Sequence, residues 1–237
     1  MDSIAPSRAS LAPAPSSPPA LTLLLREIGA FAHMRVASSI GPAVALEPHG
    51  RGRPVVVVPG FLASDRTTAR LRRSLEKAGY KTHGWGLGRN RGVQADLLDR
   101  LEAHMDSLGL DQPAILIGWS LGGLIAREYA KHAPHRVAKV ITLGSPFSGD
   151  MRANNAWRVY ERVTGHPVDC PPVACNLAEK PPVPTLACWS LRDGVVSPQS
   201  ARGHASERDR AHEFDCTHMA YVANPRAIRH IARLIAD

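Results

Sequence analysis

The chain lacks most features that would place it outside the soluble globular proteins. No apolar run among its 237 residues approaches the roughly 20 that a membrane-crossing helix needs. Aromatic residues make up only 5% of it and do not alternate with basic ones. Its lysines and arginines are scattered, although the formal net charge is +8. A groove for nucleic acid is therefore not expected, because such grooves gather their cations on one face. Solubility through net charge is the plainer reading, and contact with an acidic membrane surface stays open. Cysteine is scarce, at four residues: Cys170, Cys175, Cys188 and Cys216. None stands in a C-x-x-C pair, so no metal site is suggested. Four thiols in so long a chain do not make a disulfide framework. Whether Cys170 bridges Cys175, or Cys188 bridges Cys216, the sequence does not decide. The N-terminus shows no basic cluster followed by an apolar core and a small-residue cleavage site, so a cytoplasmic location is expected.

What is present divides the chain in three. Residues 1–20 are rich in Pro, Ser and Ala. They bury too little apolar area to offset chain entropy, which predicts a disordered tail. Residues 21–40 predict an amphipathic helix, with Leu21, Leu24, Leu25, Ile28, Phe31 and Ala32 along one face. Packing of that face onto the domain is the favoured reading, ahead of a flap or a membrane contact. Residues 41–237 then alternate strand-like and helix-like stretches, which predicts an α/β domain with a mostly parallel sheet covered on both faces. The expected strands lie at 55–58, 80–85, 113–117, 137–143, 183–189 and 210–214. A helix starting at Ser64 or Asp65 runs to Ala78, another spans 93–108, and a third closes the chain at 225–236. Residues 147–182 show no strong period.

The most informative stretch is Ile115-Leu116-Ile117-Gly118-Trp119-Ser120-Leu121-Gly122-Gly123. An apolar strand runs through a very sharp turn into a helix. Such a turn leaves no room for side chains two residues before and after its apex, hence Gly118 and Gly122. The apex residue, Ser120, is pushed out of the sheet at a helix N-terminus. This is the pattern of a nucleophile elbow.

A serine hydroxyl is a weak nucleophile until a base takes its proton. His218, just after the last strand, is the candidate base. Asp193, after the strand before, is the candidate carboxylate to orient that imidazole. His204 and His212 compete with His218, and Asp215 competes with Asp193. His212 falls within or just before the last strand, and Asp215 is too close in sequence to His218 to face it easily. Two backbone N–H groups would complete the site as an oxyanion hole: Leu121, after the nucleophile, and Phe61, after Pro59-Gly60. An acyl pocket is expected from Phe61, Leu62, Trp119 and parts of residues 146–182.

Val58-Pro59-Gly60-Phe61, the elbow, Leu143-Gly144-Ser145-Pro146, Asp193-Gly194-Val195-Val196 and Thr217-His218 together resemble the α/β-hydrolase superfamily, in its bacterial esterase/lipase branch, over about residues 54–236. The resemblance implies a serine hydrolase of small-molecule acyl esters that needs no cofactor, with Ser120, His218 and Asp193 as its triad. Two departures stand out: no clear strand precedes Val55, and the segment from Ser145 to Pro182 is short for a lipase lid. Thioester hydrolysis, lactone opening and acyl transfer remain open on the same site, as does a non-catalytic ligand-binding role.

Overall fold

A computed structural model describes residues 17–173 and 175–236. Most of the expected disordered tail, residues 1–16, lies outside the described part. The chain forms α1 (Leu21–Ser39), β1 (Pro54–Val58), α2 (Ala69–Lys77), β2 (Lys81–Gly84), α3 (Leu97–Ser107), β3 (Ala114–Trp119), α4 (Leu121–His132), β4 (Val137–Leu143), α5 (Trp157–Thr164), β5 (Thr185–Trp189), α6 (Pro198–Arg202), β6 (Arg210–Glu213) and α7 (Pro225–Ala236). All six strands join one sheet in the order β2-β1-β3-β4-β5-β6, every neighbouring pair parallel.

Side chains alternate across a strand, so the sheet sorts the apolar residues into two cores. Val55, Val57, Ile115, Ile117, Ile141 and Leu143 meet Leu71 and Leu75 of α2 and Ile228, Ile231 and Ile235 of α7. On the other face, Val56, Val58, Leu116 and Val140 meet Leu97, Leu101 and Met105 of α3 and Ile125, Ala126 and Tyr129 of α4. Each such aliphatic side chain, fully buried, contributes about 1.5–3 kcal/mol. The central strands are apolar on both sides because both sides are covered.

Helix α3 starts at Leu97 rather than at 93, and three further differences from expectation have local reasons. First, α2 starts at Ala69, not at Ser64 or Asp65. The Asp65 carboxylate accepts the N–H groups of Trp85 (3.0 Å) and Gly86 (3.2 Å), so it closes the end of β2 instead of capping a helix. Second, residues 147–182, which carry no strong period, hold α5, which is only eight residues long.

Third, α1 forms and packs, but not through the face expected. Leu21, Leu25, Ile28 and Phe31 are exposed; Glu27, Met34, Ala37 and Ser38 are buried. The helix is apolar on two sides, since Leu23, Ala30, Met34 and Ala37 make a second stripe. Polar partners decide between them. The Ser38 hydroxyl donates to the Thr67 carbonyl (2.6 Å), and Glu27 finds three backbone donors, described below. No helix among the described residues is long and apolar enough to cross a membrane. All four cysteines are free: Cys170 and Cys175 exposed, Cys188 and Cys216 buried.

Candidate active site

Ser120 sits between β3 and α4 with φ 54° and ψ −124°, a conformation that costs an L side chain about 1–3 kcal/mol. Close packing holds it there. A Cβ on Gly118 would lie 2.3 Å from the Gly122 carbonyl oxygen, and one on Gly122 would lie 2.3 Å from the Val58 carbonyl oxygen. Neither glycine has a positive φ, so both are needed for close approach, as the elbow argument requires. The Ser120 N–H donates to the Leu143 carbonyl (2.8 Å), tying the apex to the end of β4. The Leu121 N–H opens α4, where an amide has no acceptor within the helix.

Asp193 and His218 come together at the ends of β5 and β6. His218 Nδ1 lies 2.7 Å from Asp193 Oδ2, and both side chains are buried. The other Asp193 oxygen accepts the N–H groups of Val195 and Val196, each at 2.8 Å. Three hydrogen bonds, shared between both oxygens, thus hold the carboxylate. Gly144, with φ 57°, lets the end of β4 come up to this pair: a Cβ there would meet Asp193 Oδ2 at 2.8 Å and His218 Nδ1 at 3.1 Å. Burial works to lower the His218 pKa, but the Asp193 charge and hydrogen bond, with Glu27 beyond them, hold it above its ordinary 6.5.

The rivals stand elsewhere. His212 lies within β6 and packs edge-on against His230, 6.1 Å between centroids. The Asp215 carboxylate pairs with Arg192 at 2.7 Å. His204 begins a short turn, its N–H donating to Glu207.

A cleft of about 860 Å³, counting the solvent at its mouth, opens at Ser120. Phe61, Leu124, Met151, Trp157 and Tyr160 line it, and Glu128 alone among the described lining residues carries a charge. Lys131 pairs with that glutamate at 2.6 Å. Pro146, Met151, Val168 and Leu177 belong to the segment that forms much of the wall. Leu62 and Trp119 do not line it. Leu62 is exposed with φ 58°. Trp119 is buried, and its indole N–H donates to the His218 carbonyl (3.1 Å), so it supports the histidine loop rather than a ligand.

Two residues that sequence reasoning passed over shape this rim. Asn90 is fully buried. Its side-chain amide donates to the Pro59 carbonyl (2.8 Å), its N–H to Ala63 (2.8 Å), and its carbonyl accepts from Leu62 (2.7 Å). The loop bearing Phe61 is pinned from both ends. Glu27, 3% exposed on α1, accepts the N–H groups of Gly194 (2.9 Å), His218 (2.6 Å) and Met219 (3.0 Å). Glu27 is the only acid of α1, which does not by itself mark it as buried. Asn90 offered no signal.

The family model for the alpha/beta hydrolase fold matches residues 53–165. A pimeloyl-[acyl-carrier protein] methyl ester esterase of Shewanella woodyi is 30% identical over 115 residues, 47% of this chain and 43% of the relative. Its counterpart from Photobacterium profundum is 31% identical over 123 residues, 49% of this chain and 45% of the relative. The aligned part thus spans less than half the length of these curated relatives. Among solved structures, naproxen esterase from Bacillus subtilis superimposes with a TM-score of 0.58 at 14% identity, covering 90% of this chain and 98% of that one. Carboxylesterase CesB from the same organism gives 0.57 at 16% identity, covering 91% and 98%. At such identities the likeness concerns the fold. With a strand–elbow–helix of this geometry inside the matched region and a parallel sheet of this order around it, the chain has the α/β-hydrolase fold and is similar to that family over residues 53–165.

Proposed function

We propose that the protein is a carboxylic ester hydrolase acting through an acyl-enzyme on Ser120. One observation carries the reading: a strained, pocket-facing serine shares the carboxyl rim of the sheet with a buried Asp193–His218 pair joined at 2.7 Å. In this reading Ser120 Oγ attacks the ester carbonyl carbon while His218 takes its proton. Asp193 holds the imidazole and stabilises the cation that forms. The Leu121 and Phe61 N–H groups receive the charge that develops on the carbonyl oxygen. The imidazolium returns its proton to the departing alkoxide. Water, deprotonated by the same histidine, then frees the acid and restores the serine.

The wall chemistry favours an apolar acyl group. A chain of methylenes would lie against Leu124, Met151, Trp157 and Tyr160 with little polar surface to desolvate. The relatives named as methyl ester esterases support ester cleavage. The test is hydrolysis of p-nitrophenyl esters from acetate to palmitate by the wild type and Ser120→Ala. The expected result is turnover by the wild type that drops to background in the variant; turnover retained in the variant would remove Ser120 from the mechanism.

A further inference from the structure

The helix that precedes the sheet carries a buried carboxylate into the site. Glu27 lies near the middle of α1, and its partners are the backbones of the two loops that bear Asp193 and His218. Oε1 accepts both the Gly194 and the His218 N–H, so a single oxygen bridges the loops. Oε2 accepts the Met219 N–H. Both oxygens are acceptors, as an ionised carboxylate allows. The fit is close: a Cβ on Gly194 would lie 2.4 Å from the Leu23 carbonyl oxygen, so that glycine is needed for α1 to lie against the aspartate loop.

We infer that Glu27 is a positioning residue for the Asp193–His218 pair, and that α1 is a working part of the active site. The inference rests on the hydrolase reading for its kinetic consequence and on geometry for the rest. The relative placement of residues 193 and 218 decides whether Nδ1 and Oδ2 meet at 2.7 Å. Glu27 joins the residue after Asp193 to His218 itself, and so sets that placement through the backbone. Its charge also acts on the imidazole, in the direction that favours the cation. The titratable groups around His218 are Asp193, Glu27 and Tyr221, with Cys216 beyond Asp193. Burial drives the Tyr221 hydroxyl and the Cys216 thiol upward, so both stay neutral near pH 7. Besides Asp193, Glu27 is the anion that favours the imidazolium formed when Ser120 gives up its proton.

The test compares the full-length wild type with Glu27→Gln, and with Leu25→Ser as a control on the exposed side of the same helix. Ester hydrolysis is read as kcat and KM, and the His218 imidazole is titrated by nitrogen NMR. Glutamine nearly matches the shape, removes the charge, and turns one acceptor into a donor. The expected result is a kcat lower by about tenfold with KM changed less than twofold, as for a group that acts in the transition state. His218 should also titrate at lower pH. The control should match the wild type in both. A further readout needs no variant: in the wild type, the Gly194, His218 and Met219 amide protons should exchange slowly. An unchanged His218 titration in Glu27→Gln, a change in KM alone, or fast exchange at those three amides would overturn the inference. If instead Ser120→Ala retained hydrolysis, the hydrolase reading would fall, and the titration and exchange would still decide the role of Glu27.

Discussion

At the scale of single residues, the site depends on atoms that are absent as much as on those present. Gly118 and Gly122 were legible in the sequence because the reason for them is steric and local: a turn that sharp cannot carry Cβ atoms there. Gly122→Ala would press a methyl against the Val58 carbonyl, a backbone atom that cannot swing away. It is expected to cost about 3 kcal/mol, in the upper range for overpacking, and thermal unfolding would measure it. Asp193 allows a sharper test. Its charge helps hold the His218 pKa above 6.5. In the proposed mechanism activity needs the neutral imidazole, so it should rise with pH through a midpoint above 6.5. Asp193→Asn removes the charge, so that midpoint should move to lower pH, while kcat falls by about 10,000-fold, the size expected when the orienting carboxylate is lost. A midpoint that stays in place would mean that another group titrates. Glu27 was not legible: an acid in an amphipathic helix ordinarily faces water, and the donors that bury it lie about 170 and 190 positions away.

At the scale of elements, strands were easier to read than helix starts. The valine strand and the elbow strand are buried throughout, β4 is apolar apart from Lys139 and Thr142, and α7 begins at its proline as expected. Helices α2 and α3 begin later than expected; at α2 the reason is Asp65, which could cap a helix in isolation but has better partners in the fold. The orientation of α1 shows the limit of periodicity: with two apolar stripes, a wheel cannot choose. The structure implies a direct comparison. Met34→Ala, on the buried stripe, is expected to cost about 2–5 kcal/mol, the usual range for such a truncation in a core. Ile28→Ser, on the outer stripe, should change stability by less than about 0.5 kcal/mol. Denaturant midpoints of the two variants decide which face packs.

At the scale of the whole molecule, the sheet gathers reactive groups that are far apart in sequence. The elbow follows β3, Asp193 follows β5 and His218 follows β6, and strand order alone brings them to one rim. That much could be read from the sequence, since strand ends were visible and the order of residues matched. The cavity wall could be read only as a stretch of chain and not residue by residue, because that stretch is placed by packing rather than by a repeating pattern. Its apolar character has a measurable consequence. Each further methylene of a bound acyl chain contributes about 0.8 kcal/mol, or about fourfold in kcat/KM, until the cavity is filled. The ester series should therefore climb from acetate before it levels; a maximum at acetate would mean that the cavity does not take the acyl group.

The central claim is that Ser120 is a nucleophile driven by His218. The most direct measurement is the reaction of the wild type with a serine-directed fluorophosphonate, followed by mass spectrometry of the peptide that holds residue 120. The account requires one covalent adduct on Ser120, none in Ser120→Ala, and a much slower rate in His218→Gln. An unlabelled Ser120, or an adduct that forms at the same rate without the histidine, would contradict it.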